Sequence, residues 1–197
     1  MLMNRTLWTL LLSDVFLDVG FGLIDPILAI YLNNQISGAT IVAIGFATTI
    51  FLITKVIVQL PFSKYADKLD SSKKRLFIII GTLLVTISPI ILIFATDIKH
   101  VYLAEFIHGV GSGIATAVWL GLWSRNLDKK REGFQWSFYQ SFTAASFAIS
   151  AAIGATLAQF FGFRITFIIV SVLVLASGLI LFRLQGKAQD KKKKWII

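Results

Sequence analysis

The chain has 197 residues, 56% hydrophobic and only 15% charged, with a mean hydropathy of +0.79. Soluble domains are about one quarter charged, so this composition excludes an ordinary soluble protein and indicates one embedded in a lipid bilayer. There is no cysteine, so disulfides and thiolate metal sites are excluded, and two histidines, His100 and His108, do not make a zinc set. The net charge of +9 lies in short clusters between apolar runs, the pattern of membrane topology and not of a nucleic-acid-binding face.

Six apolar runs follow one another, at about 7–32, 40–62, 76–96, 101–123, 135–160 and 164–185. Each holds about the 20 residues that cross ~30 Å of hydrocarbon as a helix. The prediction is an all-α membrane domain over 1–186 and a basic cytoplasmic tail over 187–197. The first run is too long for the apolar core of a cleavable signal and has no small-residue cleavage site behind it.

The connections alternate in charge. One side of the membrane collects sixteen Lys and Arg residues from the N-terminus, the second and fourth connections and the tail, against Lys99 and Arg164 on the other. The positive-inside rule then puts both termini in the cytoplasm, and a bacterial-type cytoplasmic membrane is the expected location. The tail's Lys191 to Lys194 are read as a solvated anchor more than as a lipid-binding patch. Asn4-Arg5-Thr6 matches a glycosylation sequon but faces the cytoplasm.

The first run, LWTLLLSDVFLDVGFGLIDPILAIYL, carries three carboxylates. One ionised side chain at the bilayer centre costs at least ~2.5–3.5 kcal/mol, so three do not face lipid. At 100° per residue, Asp18 lies about 40° from Asp14, and Asp25 about 20° back from Asp18. The first span therefore presents one acidic stripe to an interior or an aqueous cavity.

The connection Ser63-Lys-Tyr-Ala66-Asp67-Lys68-Leu-Asp70-Ser-Ser-Lys73-Lys74-Arg75 resembles the G-x-L-A-D-R-x-G-R-R signature between spans two and three of the major facilitator superfamily. Ala66, Asp67 and Lys68 match in place; Ser63 and Asp70 replace the glycines. Three other stretches resemble the same family. Asp18 with Pro26 eight residues on is similar to its first span, above all in drug–proton antiporters. Glu105-Phe-Ile-His108-Gly109-Val-Gly111-Ser-Gly113 resembles R-x-x-Q-G-x-G, with Glu105 in place of the arginine. Gly154-Ala-Thr-Leu-Ala-Gln-Phe-Phe-Gly162-Phe-Arg164-Ile-Thr-Phe167 resembles G-G-x-L-x-x-x-x-G-W-R-x-x-F, while the antiporter's G-P stands here as Ser150-Ala151.

The resemblance implies one six-helix half of the family fold, a 3+3 inverted repeat with both ends inside, where full-length members have two halves. It implies a cytoplasmic charge network of Asp67 with Lys68 and Arg75, the alternative being an ordinary solvated loop. The initial Met and the lysine tail favour a half-size protein that pairs as a parallel homodimer over a fragment. In the family the halves meet through spans two and five. Ala43 and Ala47 in span two and Ala144, Ala148, Ala151 and Ala155 in span five stand at helical spacing, which permits close helix approach. The same stripes also suit packing within one subunit.

Six ionisable groups fall inside the spans, and such groups mark pathways or sites by default. Asp14 and Lys55 both come out about 7 Å cytoplasmic of the midplane and are expected to form an intramembrane ion pair. Asp18 lies near the midplane; Asp25 and Glu105 lie about 10 Å outward, with His108 between. Four carboxylates exceed the cations available to neutralise them, which makes Asp18 the expected proton carrier, with Glu105 and His108 as relay or substrate contacts. Asp25 is equally well a partner of the Pro26 kink. Trp119 is expected at the cavity, stacking on an apolar or sugar substrate. Trp123 is expected as an interfacial anchor and glycines 109, 111 and 113 as packing positions. Tyr139 and Gln140 are weaker cavity positions.

The expected function is proton-coupled, alternating-access secondary transport of a small organic solute, cationic or drug-like. The alternatives are proton-coupled uptake of a sugar or neutral solute, and a non-transporting subunit or one half of a heterodimer. No phosphate-binding loop supports ATP-driven transport. No catalytic constellation stands at matched depth, so an enzyme is not expected, nor is a cofactor.

Overall fold

The computed structural model describes residues 3–184; the predicted tail at 187–197 and the boundary before it lie outside them. Among the described residues seven α-helices make six spans: α1 Arg5–Gly22 and α2 Asp25–Gln35 together form the first, followed by α3 Ile41–Asp67, α4 Ser71–Phe94, α5 Ile98–Asn126, α6 Glu132–Phe161 and α7 Phe163–Ile180. A short 3₁₀ turn, Leu181–Arg183, closes the last span. All six are long and apolar enough to cross a membrane.

The helix boundaries follow local chemistry. Asn4, Thr40, Asp70 and Asp97 each cap a helix N-terminus by accepting a backbone N–H in the first turn, and the His100 side chain completes a capping box with Asp97. Gly162 turns α6 into α7 at φ +82°, a conformation that favours glycine. The first span, expected as one run over 7–32 with a kink at Pro26 as one reading, is two helices. It breaks at Leu23–Ile24, just ahead of Pro26, which stands in the first turn of α2 and has no N–H to bond back across the break. Pro61 and Pro89, by contrast, lie within the continuous helices α3 and α4. The second span runs five residues past its predicted end at 62, through Lys64 and Ala66 to Asp67.

The packing carries an internal symmetry. α5 packs on α3 and α4, α1 packs on α6 and α7, and α4 meets α7. Exchanging the first span with the fourth, the second with the fifth and the third with the sixth maps these principal pairs onto themselves. That is the signature of a 3+3 repeat in which each triplet lends its first span to the other. Glycines permit the closest crossings. Cβ atoms on Gly81 of α4 and Gly111 of α5 would each meet the other's carbonyl oxygen, at 2.8 and 2.7 Å. Gly109 and Gly113 bring α5 equally close to Phe51 and Val58 of α3. The expected packing role of these three α5 glycines is what the structure shows.

Three contacts gather one end of the bundle. Asn4 Nδ2 donates to the Asn126 carbonyl at 2.6 Å, Arg125 Nη2 donates to Asp67 Oδ1 at 2.9 Å, and Arg75 Nη1 donates to the Leu184 carbonyl at 3.2 Å. This face carries the basic connections. At the opposite end the first and third connections are tied by Ser37, which donates to Thr96 and accepts from Ile98, both at 3.0 Å.

Burial is uneven. α3 and α6 are the least buried of the six spans. Both helices lie at the margin of the bundle and leave broad apolar faces open, with Phe46, Ile53 and Ile57 on α3 and Phe142, Ile149 and Ile153 on α6.

Candidate functional site

A cavity runs between the two triplets as two adjoining chambers. The inner chamber, of 340 Å³, is lined by Ser13, Asp14 and Asp18 of α1, Lys55 of α3, Thr82 of α4, Ser112, Thr116 and Trp119 of α5, and Trp136 and Tyr139 of α6. The outer chamber, of 430 Å³, is lined by Asp18 and Phe21 of α1, Asp25 of α2, Thr48, Phe51 and Lys55 of α3, Glu105 and His108 of α5, and Phe147 of α6. Asp18, Lys55, Ser112 and Thr116 belong to both walls. The three acids of the first span thus all line the cavity, Asp14 and Asp18 half-buried and Asp25 exposed at the start of α2, beyond the break at Leu23–Ile24.

The helix periodicity explains the lining. Glu105, His108, Ser112, Thr116 and Trp119 recur every three or four residues and form one face of α5, opposite the acidic face of α1. Asp14 accepts a hydrogen bond from the Tyr139 hydroxyl at 2.8 Å, which fixes α6 to α1 beside the inner chamber. Glu105 Oε2 lies 3.7 Å from His108 Nδ1, and both are largely withdrawn from solvent. The imidazole is sandwiched between Phe21, with ring centres 4.6 Å apart and planes at 8°, and Phe51, at 4.3 Å and 33°. Asp18 and Asp25 have no ion-pair partner within 4.0 Å among the described residues.

Aromatic rings close the inner end. Trp119 stacks on Trp123 at 5.0 Å and 10°, and Tyr139 lies 4.9 and 4.8 Å from the two indoles. Trp136 completes the cluster 6.1 Å from Trp119. The indole Nε1 atoms of Trp119 and Trp123 are buried with no hydrogen-bond partner among the described residues. An unsatisfied buried donor costs about 1–3 kcal/mol, a cost these two indoles carry inside the aromatic cluster.

Several expected contacts take a different form. Asp14 and Lys55 line the same chamber but make no ion pair, because α3 packs on α5 and not on α1, and the cavity lies between them. Asp67 pairs with Arg125 at the end of α5; Lys68 is exposed and Arg75 bonds to Leu184 instead. Trp123, expected at the membrane boundary, is fully buried in the aromatic cluster. Ala43 and Ala47 are buried within the chain, whereas Ala144, Ala148 and Ala155 are exposed on α6 and Ala151 is half-buried.

The sequence does not single out Phe21, Phe51, Trp136 or Arg125. The α5 periodicity reveals Ser112 and Thr116; nothing local distinguishes a cavity-lining Phe from the rest of the seventeen, or Arg125 from the other cations of its cluster. Tyr139 lines the cavity as expected, and Gln140 is exposed.

Comparison with known proteins agrees with this architecture. Residues 10–195 match the family model of the Major Facilitator Superfamily. An uncharacterized MFS-type transporter, MJ1560, of Methanocaldococcus jannaschii is 27% identical over 179 residues, covering 90% of this chain and 45% of that protein. The quinolone resistance protein NorA of Staphylococcus aureus is 24% identical over 158 residues, covering 80% of this chain and 39% of that protein. The chain therefore spans less than half the length of these relatives. With a match that covers nearly all its residues, six apolar spans in a twofold-repeated arrangement and an interior cavity, the chain is a member of the Major Facilitator Superfamily.

Proposed function

We propose that this chain is one six-helix body of a proton-coupled secondary transporter for a small organic cation, and that a second copy, parallel to the first, completes it. Alternating access then comes from rocking one body against the other around the shared cavity. The observation that carries this reading is the pairing of an acidic wall on α1 with the aromatic cluster of Trp119, Trp136 and Tyr139 in one chamber. An organic cation gains from both, since a cation over an aromatic face is worth ~0.5–2 kcal/mol and more when desolvated. A relative named for quinolone resistance supports a drug-sized organic solute.

Asp18 takes up the coupling proton. It stands on the wall common to both chambers with no cation beside it, so a proton and a cationic solute compete for one carboxylate, and that competition is the coupling. Glu105 and His108 connect Asp18 to the outer end, and Asp14, held by Tyr139, supports the inner wall. The open faces of α3 and α6 are where the second body seats. On α6 the exposed Ala144, Ala148 and Ala155 allow close approach.

The test is ethidium uptake into proteoliposomes that hold DNA, after a pH jump that makes the lumen acidic. Uptake above protein-free liposomes, abolished when nigericin collapses the gradient, is expected. Uptake no faster than in protein-free liposomes, or indifferent to the gradient, contradicts the reading.

A further inference from the structure

Lys55 is the cavity's unexplained charge. It sits near the middle of α3, away from the headgroups, so its ammonium has no short route to water at a membrane face. Its side chain faces both chambers, with Nζ 5.8 Å from the centre of the Phe51 ring, whose other neighbour is the His108 imidazole at 4.3 Å. No carboxylate lies within 4.0 Å of it among the described residues. Of the four acids in the cavity, Asp14 is engaged by Tyr139 and Glu105 by His108. That leaves two carboxylates without a cation, Asp18 and Asp25, and one cation without a carboxylate, Lys55; of these, Asp18 and Lys55 line both chambers.

A protein that needed Lys55 only to neutralise an acid would seat the two in contact, since a buried pair is tolerated only with close geometry and satisfied hydrogen bonds. Lining the same chambers without an ion pair within 4.0 Å, the charges of Asp18 and Lys55 instead complement a molecule with two opposite charges of its own. We infer that Lys55 is an anion subsite, and that the preferred solute is a zwitterion whose cationic end meets Asp18 while its carboxylate or other anionic end meets Lys55. The inference rests on the cation-binding reading above and narrows it: the solute carries a negative group as well as a positive one. Ser112 and Thr116, on the same common wall, supply hydroxyl donors for the anionic group beside the ammonium.

The experiment compares two dyes that differ in one group. Tetramethylrhodamine bears a free carboxylate and is a zwitterion; its methyl ester is a simple cation. Each is titrated calorimetrically into the full chain in nanodiscs, with empty nanodiscs subtracted. The wild-type protein is expected to bind the zwitterion about tenfold or more tightly than the ester, as one charge-assisted contact provides. Lys55→Met removes that preference by weakening the zwitterion alone, and Lys55→Arg keeps it.

Equal affinity for the two dyes in the wild type overturns the anion subsite and leaves the cation site standing. A Lys55→Met protein that loses affinity for both dyes equally overturns it too, because that is the behaviour of a counter-ion or a folding residue. If the wild type binds neither dye, the cation-binding reading fails and the subsite fails with it.

Discussion

Asp18→Asn is expected to abolish gradient-driven ethidium uptake and to leave the protein folded. The asparagine keeps the size of the side chain and its place on the wall between the chambers, but it neither takes a proton nor attracts a cation. Losing one charge-assisted contact costs about tenfold or more in affinity, and losing the exchangeable proton removes the dependence on pH altogether. The residual uptake should therefore be slow and the same with or without the gradient. Asp14→Asn is the discriminating control. Asp14 is occupied by the Tyr139 hydroxyl at 2.8 Å, so its loss should slow uptake while the gradient still drives it. Full coupling in Asp18→Asn, or loss of coupling in Asp14→Asn alone, would move the proton site from Asp18 to its neighbour one turn away.

The second large effect is on folding. Gly154 of α6 lies against the backbone of Leu23, where the first span breaks, and a Cβ there would overlap the Leu23 main chain. Gly22 faces the same crossing from α1, with the Phe147 carbonyl oxygen 3.0 Å from the position of its missing Cβ. The Leu23 backbone has no room to yield, because Leu23 and Ile24 are buried in the core, so relief would require α6 to move away from the break. Gly154→Val should cost at least the ~1–3 kcal/mol typical of overpacking, read as a lowered Tm in detergent and a loss of the monodisperse peak. Gly133→Ala, at a position with open space around it, should leave both unchanged. A Gly154→Val protein as stable as the parent would mean that α6 does not cross the first span at this point.

Much of the architecture is legible in the residues because the bilayer constrains it so strongly. Six apolar runs with alternating charge between them leave little freedom in the number and direction of helices. The acidic stripe is equally legible, since Asp14, Asp18 and Asp25 repeat at helical spacing and cannot face lipid. What depends on which helix packs on which is not. Placing Asp14 and Lys55 at one depth suggests an ion pair, yet depth along an axis is silent about lateral distance, and α3 packs on α5. Ala43 and Ala47 show the same limit: helical spacing identifies a stripe of small residues but not the neighbour it meets, and both are buried within the chain. Trp123 sits at the depth of a boundary anchor but turns inward, because the α5 face that carries Glu105 and His108 continues through Trp119 to it. Arg125 is hidden among other cations, and only the fold brings it to Asp67.

Two six-helix bodies around one cavity are the centre of the proposed mechanism, and the mass of the particle in lipid nanodiscs tests them most directly. The chain has a mass of 21.9 kDa and no cysteine, so protein mass is read without disulfide artefacts. Two copies per particle, joined by a disulfide when Ala148→Cys is introduced on the exposed stripe of α6, is the predicted result. A single copy at every protein concentration, with no cross-link at Ala148→Cys, would contradict it: the open faces of α3 and α6 would then not be closed by a second copy of this chain.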